Sequence, residues 1–168
     1  MNAEPLSVRW LIQRDMTEAL ELGAMTPWDE GDLLEHCKLR NSIAMVCEDE
    51  DQQIVGWMAY EIHRSSLHIV NVGCDDFELS PAYELMQRLL NKLGTRRDLI
   101  TANCPDDQDD ILVYFRDCGF ITFMQHGGVI SLKYELPIEQ QLCSIGGVTC
   151  RRSTGFPCMV PAHMEELK

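Results

Sequence analysis

The sequence predicts one α/β domain of the α+β type, with a mixed, mostly antiparallel sheet of six to seven strands flanked by about four helices. Its 168 residues, 45% of them hydrophobic, suffice for one sizeable core and are too few for two. Short runs rich in β-branched and aromatic residues alternate with amphipathic segments of helical period. Several neighbouring runs are separated by only a few turn residues, which favours antiparallel hairpins.

The N-terminal part predicts one strand and two helices. The run VRWLIQ at 8–13 alternates apolar and polar residues. Asp15 and Glu18 have the spacing of a capping box and predict a helix through about residue 24. A second helix is predicted from residue 29 to about residue 40. Val8, Trp10 and Ile12 share one face of the strand, and Trp10 is predicted to be a core or helix-packing residue. The residues predicted to face inward from the second helix are Leu33, Leu34, Cys37 and Leu39.

The middle of the chain predicts a hairpin, a third strand and a central helix. Strands at 43–48 and 54–63 are joined by an acidic turn, and a strand at 67–74 follows. Ser80 is placed to cap the next helix, with a proline at its first position and an end near residue 93. The apolar positions of this helix recur at helical spacing and are Leu85, Met86, Leu89, Leu90 and Leu93.

Three more strands and one helix complete the predicted domain, which spans residues 1–136. A strand at 98–104 is followed by a helix near 108–118. Strands at 119–125 and 129–136 are joined by a glycine-containing turn, typical of a final hairpin.

Residues 137–168 form a C-terminal extension with two open interpretations. Gly146-Gly147 lies between two short runs and predicts an added hairpin, which would cover a sheet edge or reach a second subunit and form a homodimer. The alternative is a weakly ordered extension, because Phe156-Pro157 and Pro161 interrupt regular structure.

Composition excludes several functions. The net charge of −13 argues against nucleic-acid binding and favours a basic partner or plain solubility. No apolar run approaches the ~20 residues of a membrane span, and no signal pattern is present, so we expect a soluble, cytoplasmic protein with no membrane association. The eight cysteines include no C-x-x-C pair, and His63 and His68 flank a turn without a third ligand, so no metal is expected.

The order β-α-α-β-β-β-α-β-α-β-β resembles the GNAT N-acetyltransferase superfamily over residues 7–136. The likeness is greatest to the ribosomal-protein alanine N-acetyltransferase branch. Its specific carriers are Pro27-Trp28 before the second helix, Gly56 in the third strand, and the segment YFRDCGF at 114–120.

The resemblance implies that acetyl-CoA lies in a V-shaped opening between strands 67–74 and 98–104, with no metal. In the family the pantetheine pairs with strand backbone, and the pyrophosphate rests on a loop of pattern Gln/Arg-x-x-Gly-x-Gly/Ala. Here the corresponding loop, 75–82, is degenerate: it has no glycine and no basic residue, and it contains three acids. The residues implied to bind the cosubstrate are Val72, Gly73, Cys74, Ser80, Ala82 and Tyr83.

The resemblance also implies catalytic positions. The tyrosine that protonates the leaving thiolate in this branch corresponds to Phe115, so Tyr114 is the neighbouring hydroxyl candidate. The candidate bases on or after the fifth strand are Cys104, acting through water, or Asp106 or Asp107. The alternative for Asp107 is a solvated helix N-terminus, where acids interact favourably with the helix dipole.

The function implied is transfer of an acetyl group from acetyl-CoA to an amine, either a protein N-terminus or a small molecule. Glu61 is a candidate for orienting that amine, and a plain surface position is the alternative. A different function remains open, because a fold alone does not fix an activity: a catalytically inactive GNAT-fold protein that serves in binding or assembly.

Overall fold

The computed structural model describes residues 6–137, so the predicted C-terminal hairpin and homodimer contact of 138–168 lie outside the described residues. The strands are β1 (Ser7–Trp10), β2 (Ser42–Glu48), β3 (Ile54–Ile62), β4 (Ser66–Cys74), β5 (Leu99–Pro105), β6 (Ile121–His126) and β7 (Val129–Glu135). The helices are α1 (Met16–Glu21), α2 (Glu30–Lys38), α3 (Ser80–Leu90) and α4 (Asp109–Asp117), with a 3-10 turn at Gln13–Asp15 before α1. The predicted mixed α/β fold and its element order are confirmed.

The seven strands form one sheet in the order β1-β2-β3-β4-β5-β7-β6. Every neighbouring pair is antiparallel except β4 and β5, which are parallel from Ser66↔Leu99 to Ile69↔Ala102. Beyond Ile69 and Ala102 the two strands no longer pair. The predicted side-by-side arrangement of these strands is therefore confirmed, and an opening lies between their C-terminal ends.

The helices cover the two faces of the sheet unequally. The apolar sides of α3 and α4 pack into one large core with residues from β2 to β5 and β7. On the opposite face, α1 and α2 cover residues of β2 and β3. The half of that face formed by β4, β5, β7 and β6 is consequently left without a helix among the described residues.

The first strand and helix are shorter than predicted, because Asp15 has another role. Its carboxylate accepts hydrogen bonds from Arg9 Nη1, at 2.6 Å, and from the backbone N–H of Ile12, at 2.9 Å, and it makes no side-chain cap on α1. The chain therefore turns after β1. The predicted core position of Trp10 is wrong: 54% of its surface is exposed, and Ile12, on the same face, is 46% exposed.

The second helix also ends early. Leu39 has extended backbone angles, so α2 stops at Lys38. Leu33 is buried as predicted, whereas Cys37 and Leu39 are exposed and the prediction for them is wrong. Asp29 caps this helix through a hydrogen bond from the backbone N–H of Asp32 at 2.9 Å.

Ser80 is the first residue of α3 and Leu79 is its N-cap, so the predicted serine cap is wrong. The reason lies upstream at Asp76. Its side chain accepts from the backbone N–H of Glu78 at 2.8 Å and its carbonyl accepts from Leu79 N–H at 3.3 Å. This turn starts the helix one residue earlier than the sequence indicates.

Candidate functional site

The end of β4 that borders the opening is tightly packed. Val72, Gly73 and Cys74 are all buried. A Cβ built on Gly73 would lie 2.1 Å from Nε1 of Trp57, whose indole is fully buried against it. Gly73 is therefore required by the packing of β3 on β4, and this part of the strand has little freedom to move.

The outward edge of this part of β4 is paired with the segment that follows α1. Met25 N–H donates to the carbonyl of Val72 at 2.8 Å, and Cys74 N–H donates to the carbonyl of Gly23 at 2.7 Å. Ala24 and Gly73 thus form an antiparallel bridge. Since the other edge of β4 pairs with β3, these are the groups that would otherwise face the opening.

Asn71 reinforces this pairing and is itself completely buried. Its Oδ1 accepts from the N–H of Thr26 at 3.1 Å and from the N–H of Val72 at 3.0 Å. Its amide nitrogen donates to the carbonyl of Thr26 at 2.7 Å. The N–H and the carbonyl of Val72 and the N–H of Cys74 therefore already have partners on this edge.

The loop before α3 is acidic and exposed. Asp75, Asp76 and Glu78 are all solvent-exposed, and Ser80 is exposed at the start of the helix. Pro81 follows at the helix start and has no N–H to offer an anion. The positive end of the helix dipole is thus surrounded by carboxylates.

A cavity of approximately 270 Å³ lies between this loop, α3 and α4. Its lining combines aromatic rings with carboxylates: Phe77, Tyr83, Tyr114, Glu78, Asp110 and Asp117. The rings contact one another, with centroids of Tyr114 5.5 Å from those of both Phe77 and Tyr83.

The residues present do not fit the pyrophosphate of coenzyme A in the pose that the family resemblance implies. The loop supplies carboxylates where an anion needs donors, and at an effective dielectric of about 20 one like-charge pair at ~4 Å opposes binding by roughly 4 kcal/mol before screening. The carbonyl of Val72 is already bonded to the N–H of Met25, and the N–H of Cys74 is already bonded to the carbonyl of Gly23. The separation of β4 from β5 is the part of the expected site that is present.

Of the three predicted catalytic residues, Cys104 and Asp107 are neighbours, since the charge of Asp107 acts on the Cys104 thiol, whereas Tyr114 is bonded to α3. Tyr114 is 1% exposed, and its hydroxyl donates to the carbonyl of Ala82 at 2.7 Å. Burial raises the pKa of Tyr114 well above its ordinary value, so the hydroxyl keeps its proton. Burial also raises the pKa of Cys104 to about 12, which keeps this thiol protonated at neutral pH. Asp107 lies in an exposed turn before α4.

The helix-free half of the opposite sheet face carries polar side chains that were not predicted from the sequence to lie together. Leu67, Ile69, Ile100, Ala102 and Leu132 face the core under α3 and α4, so the side chains that alternate with them point to the other face. The register aligns three of them in one row with Glu61 of the neighbouring β3, and these three are His68, Thr101 and Lys133.

His68 lies within this polar row, between Glu61 and Thr101. Its Nδ1 lies 2.8 Å from Oγ1 of Thr101, and the side chain is half-buried, not part of an exposed turn. Burial lowers the pKa of His68, opposed by the charge of Glu61 and assisted by His63. The alternation of apolar and polar residues in β4 and β5 was the available signal, but it does not reveal which strands are neighbours.

Two further observations concern the described part of the chain. Residues 6–137 contain no group of three histidine, cysteine or acidic side chains arranged to hold a metal ion. Over the same residues, the helices are too short and too polar to cross a bilayer.

Comparisons with known proteins identify the fold. No family model and no curated protein sequence matches the chain. Among solved structures, a variant of the spermidine N-acetyltransferase SpeG from Vibrio cholerae matches with a TM-score of 0.60 and 15% identity, covering 77% of this chain and 93% of that one. The PaiA N-acetyltransferase of Thermoplasma acidophilum in complex with coenzyme A matches with a TM-score of 0.61 and 10% identity, over 78% and 99%.

A ribosomal-protein alanine N-acetyltransferase from Escherichia coli also matches, with a TM-score of 0.61 and 10% identity, over 79% of this chain and 94% of that one. At these identities the likeness concerns the fold. The chain has the GNAT acetyltransferase fold, as the sequence resemblance implied.

Proposed function

We propose that this GNAT-fold protein transfers an acetyl group from acetyl-CoA to an amine. The observation that carries the proposal is the opening between β4 and β5, where parallel pairing ends at Ile69↔Ala102 beside α3. The solved structures that share this fold include a spermidine N-acetyltransferase and a ribosomal-protein alanine N-acetyltransferase. Their acceptors are amines, and the net charge of −13 favours the approach of a cationic amine.

The open polar face beside β4 supports an acceptor site. A neutral His68 that donates its Nδ1–H to Thr101 keeps its Nε2 unprotonated. Such a nitrogen can take a proton from an ammonium or from an attacking amine, and a lowered pKa keeps it neutral at pH 7. We therefore assign His68 the role of proton acceptor, with Thr101 fixing its tautomer.

The test is thiol release from acetyl-CoA with two amines, spermidine and a peptide with an N-terminal alanine. We expect thiol release that saturates with the amine concentration. Its rate should fall about 10²-fold or more in His68→Gln, because a positioned base contributes roughly 10²–10⁴-fold to the rate. The matched control is His126→Gln, an exposed histidine at the end of β6. The rate should fall as the pH drops through the His68 pKa, since protonated histidine cannot accept a proton.

A second function, binding without turnover, is favoured by a specific observation. Phe115 stands where a tyrosine would protonate the thiolate, and it is completely buried against Phe120 at 5.1 Å between ring centroids. The neighbouring hydroxyl of Tyr114 is held by Ala82. Background rates from both the wild type and Phe115→Tyr, together with no calorimetric signal for coenzyme A, would reject the enzyme and retain this alternative.

A further inference from the structure

The segment from Gly23 to Thr26, which we name the strap, lies along β4 as a short extra strand. It makes two backbone hydrogen bonds to β4, through Val72 and Cys74, at 2.8 and 2.7 Å. The strap is also anchored by the Met25 side chain, which is fully buried in the main core.

Asn71 holds the strap through its side chain. Both the N–H and the carbonyl of Thr26 are bonded to the Asn71 amide, at 3.1 and 2.7 Å. A side-chain amide that bonds both polar groups of one residue imitates a neighbouring strand. The strap therefore receives from β4 the hydrogen-bond pattern that an extended, amide-bearing ligand would receive.

The strap and such a ligand compete for the same atoms. The carbonyl of Val72 and the N–H of Cys74 each have one partner in the structure, and both partners belong to the strap. We propose that the strap fills the β4 edge as an internal substitute for an extended, amide-bearing ligand, so that the pantetheine arm of coenzyme A enters only when the strap is released. The inference rests on the proposed function only in its choice of coenzyme A as the ligand.

Release requires breaking these hydrogen bonds and withdrawing Met25 from the core, so the released state is the minor one. Helix α1 ends at Glu21 and α2 begins at Glu30, so the strap lies in a connection whose ends are fixed by two separate helices. Gly23 is exposed at one end and Pro27 at the other. The apparent affinity for a ligand that requires release equals the intrinsic affinity multiplied by the released fraction.

Amide hydrogen exchange on the wild type, with and without saturating coenzyme A, gives the first test. Displacement of the strap removes the acceptor of the Met25 N–H, whereas the Cys74 N–H exchanges one acceptor for another. We expect exchange at Met25 to accelerate on binding and exchange at Cys74 to stay slow. Unchanged protection at Met25 in the saturated complex overturns the proposal.

Calorimetry with coenzyme A on strap variants gives the second test. Asn71→Ala removes the side chain that holds the strap, and Met25→Ser weakens the strap without changing a residue of β4. We expect either variant to bind coenzyme A more tightly than the wild type, by about tenfold or more, because Asn71→Ala removes two hydrogen bonds to the strap and Met25→Ser removes its buried apolar anchor. Ile130→Ala, a core change in β7, serves as a destabilised control that should show no gain.

The outcomes separate this inference from the proposed function. Faster Met25 exchange in a strap variant without any gain in coenzyme A binding overturns the strap proposal. Tighter binding by the strap variants with no thiol release upholds the strap proposal and rejects the enzyme.

Discussion

At the scale of single residues, Arg9 and Asp15 form a doubly hydrogen-bonded charge pair. Two hydrogen bonds of 2.6 and 3.0 Å join the guanidinium to the carboxylate, and Arg9 also bonds to Glu48. The side chain of Asp15 is 5% exposed. These contacts fix the turn between β1 and α1, which the capping-box pattern had predicted differently.

Asp15→Asn should lower the free energy of unfolding at pH 7 by about 1–3 kcal/mol, because charge-assisted hydrogen bonds to a buried carboxylate are lost. Arg9 lowers the pKa of Asp15, so the stabilisation is present above the unfolded-state pKa of about 3.9 and is lost as the pH falls through the folded-state value.

Urea denaturation of both proteins from pH 7 to pH 3 measures this difference. Glu35→Gln, at an exposed position of α2, is the control and should change stability little at any pH. A difference that persists undiminished in acid would contradict the ion-pair explanation.

Gly73→Ala should destabilise the protein by about 1–3 kcal/mol, because the new methyl group meets the buried indole of Trp57. Gly94→Ala is the matched control: its Cβ meets nothing within 4 Å, and the change should stay within about 0.5 kcal/mol. Thermal or urea unfolding of the two variants tests the comparison, and equal effects would refute the packing argument.

At the scale of elements, the loop before α3 combines a helix N-terminus with carboxylates. We expect Asp75→Asn with Glu78→Gln to bind coenzyme A more tightly, since two like charges are removed from the phosphate position. Asp76 is retained because its side chain bonds to the backbone of Glu78. The gain should shrink in salt as the Debye length falls from ~10 Å at 0.1 M to about 3 Å at 1 M.

Calorimetry at both salt concentrations measures the effect of the loop substitutions. Glu30→Gln with Glu35→Gln changes the net charge equally on α2 and should leave the affinity nearly unaltered. A similar gain from both double variants would mean that overall charge, not the loop, controls binding.

The outer strand β6 has every residue exposed, including Ile121, Phe123 and Met124. An edge strand without charges is a template for pairing with another chain. Phe123→Lys should therefore reduce self-association, measured by light scattering at high concentration, while Val113→Lys, an exposed change on α4, should not. No difference between the two would argue against association through β6.

At the scale of the whole molecule, the sequence predicts what depends on local periodicity. The buried side of α3, with Leu85, Met86 and Leu89, follows from helical spacing, and the parallel pairing of β4 with β5 follows from a strand-helix-strand order. Trp10 shows the limit: alternation indicates which face a residue occupies but not whether anything covers that face.

The candidate site was less predictable because its contacts join distant parts of the chain. Gly23 and Met25 carry no strand pattern, and their partners on β4 lie about fifty residues away. The hydrogen bond between His68 and Thr101 depends on a strand register that neither segment contains by itself. The acidic loop, in contrast, can be predicted directly from the sequence, because its three acids lie close together in the chain.

The short parallel ladder between β4 and β5 also bears on how the protein assembles. Ser66 to Ile69 provide its β4 residues, and no other strand pairing joins β1–β4 to β5–β7 in the described sheet. Each side of this seam is built from antiparallel neighbours and can organise early, whereas the seam requires closure of the chain from residue 75 to 98, an entropic cost that slows folding. Folding is thus expected to conclude at the seam, so the opening that would receive a ligand belongs to the part of the sheet that forms last.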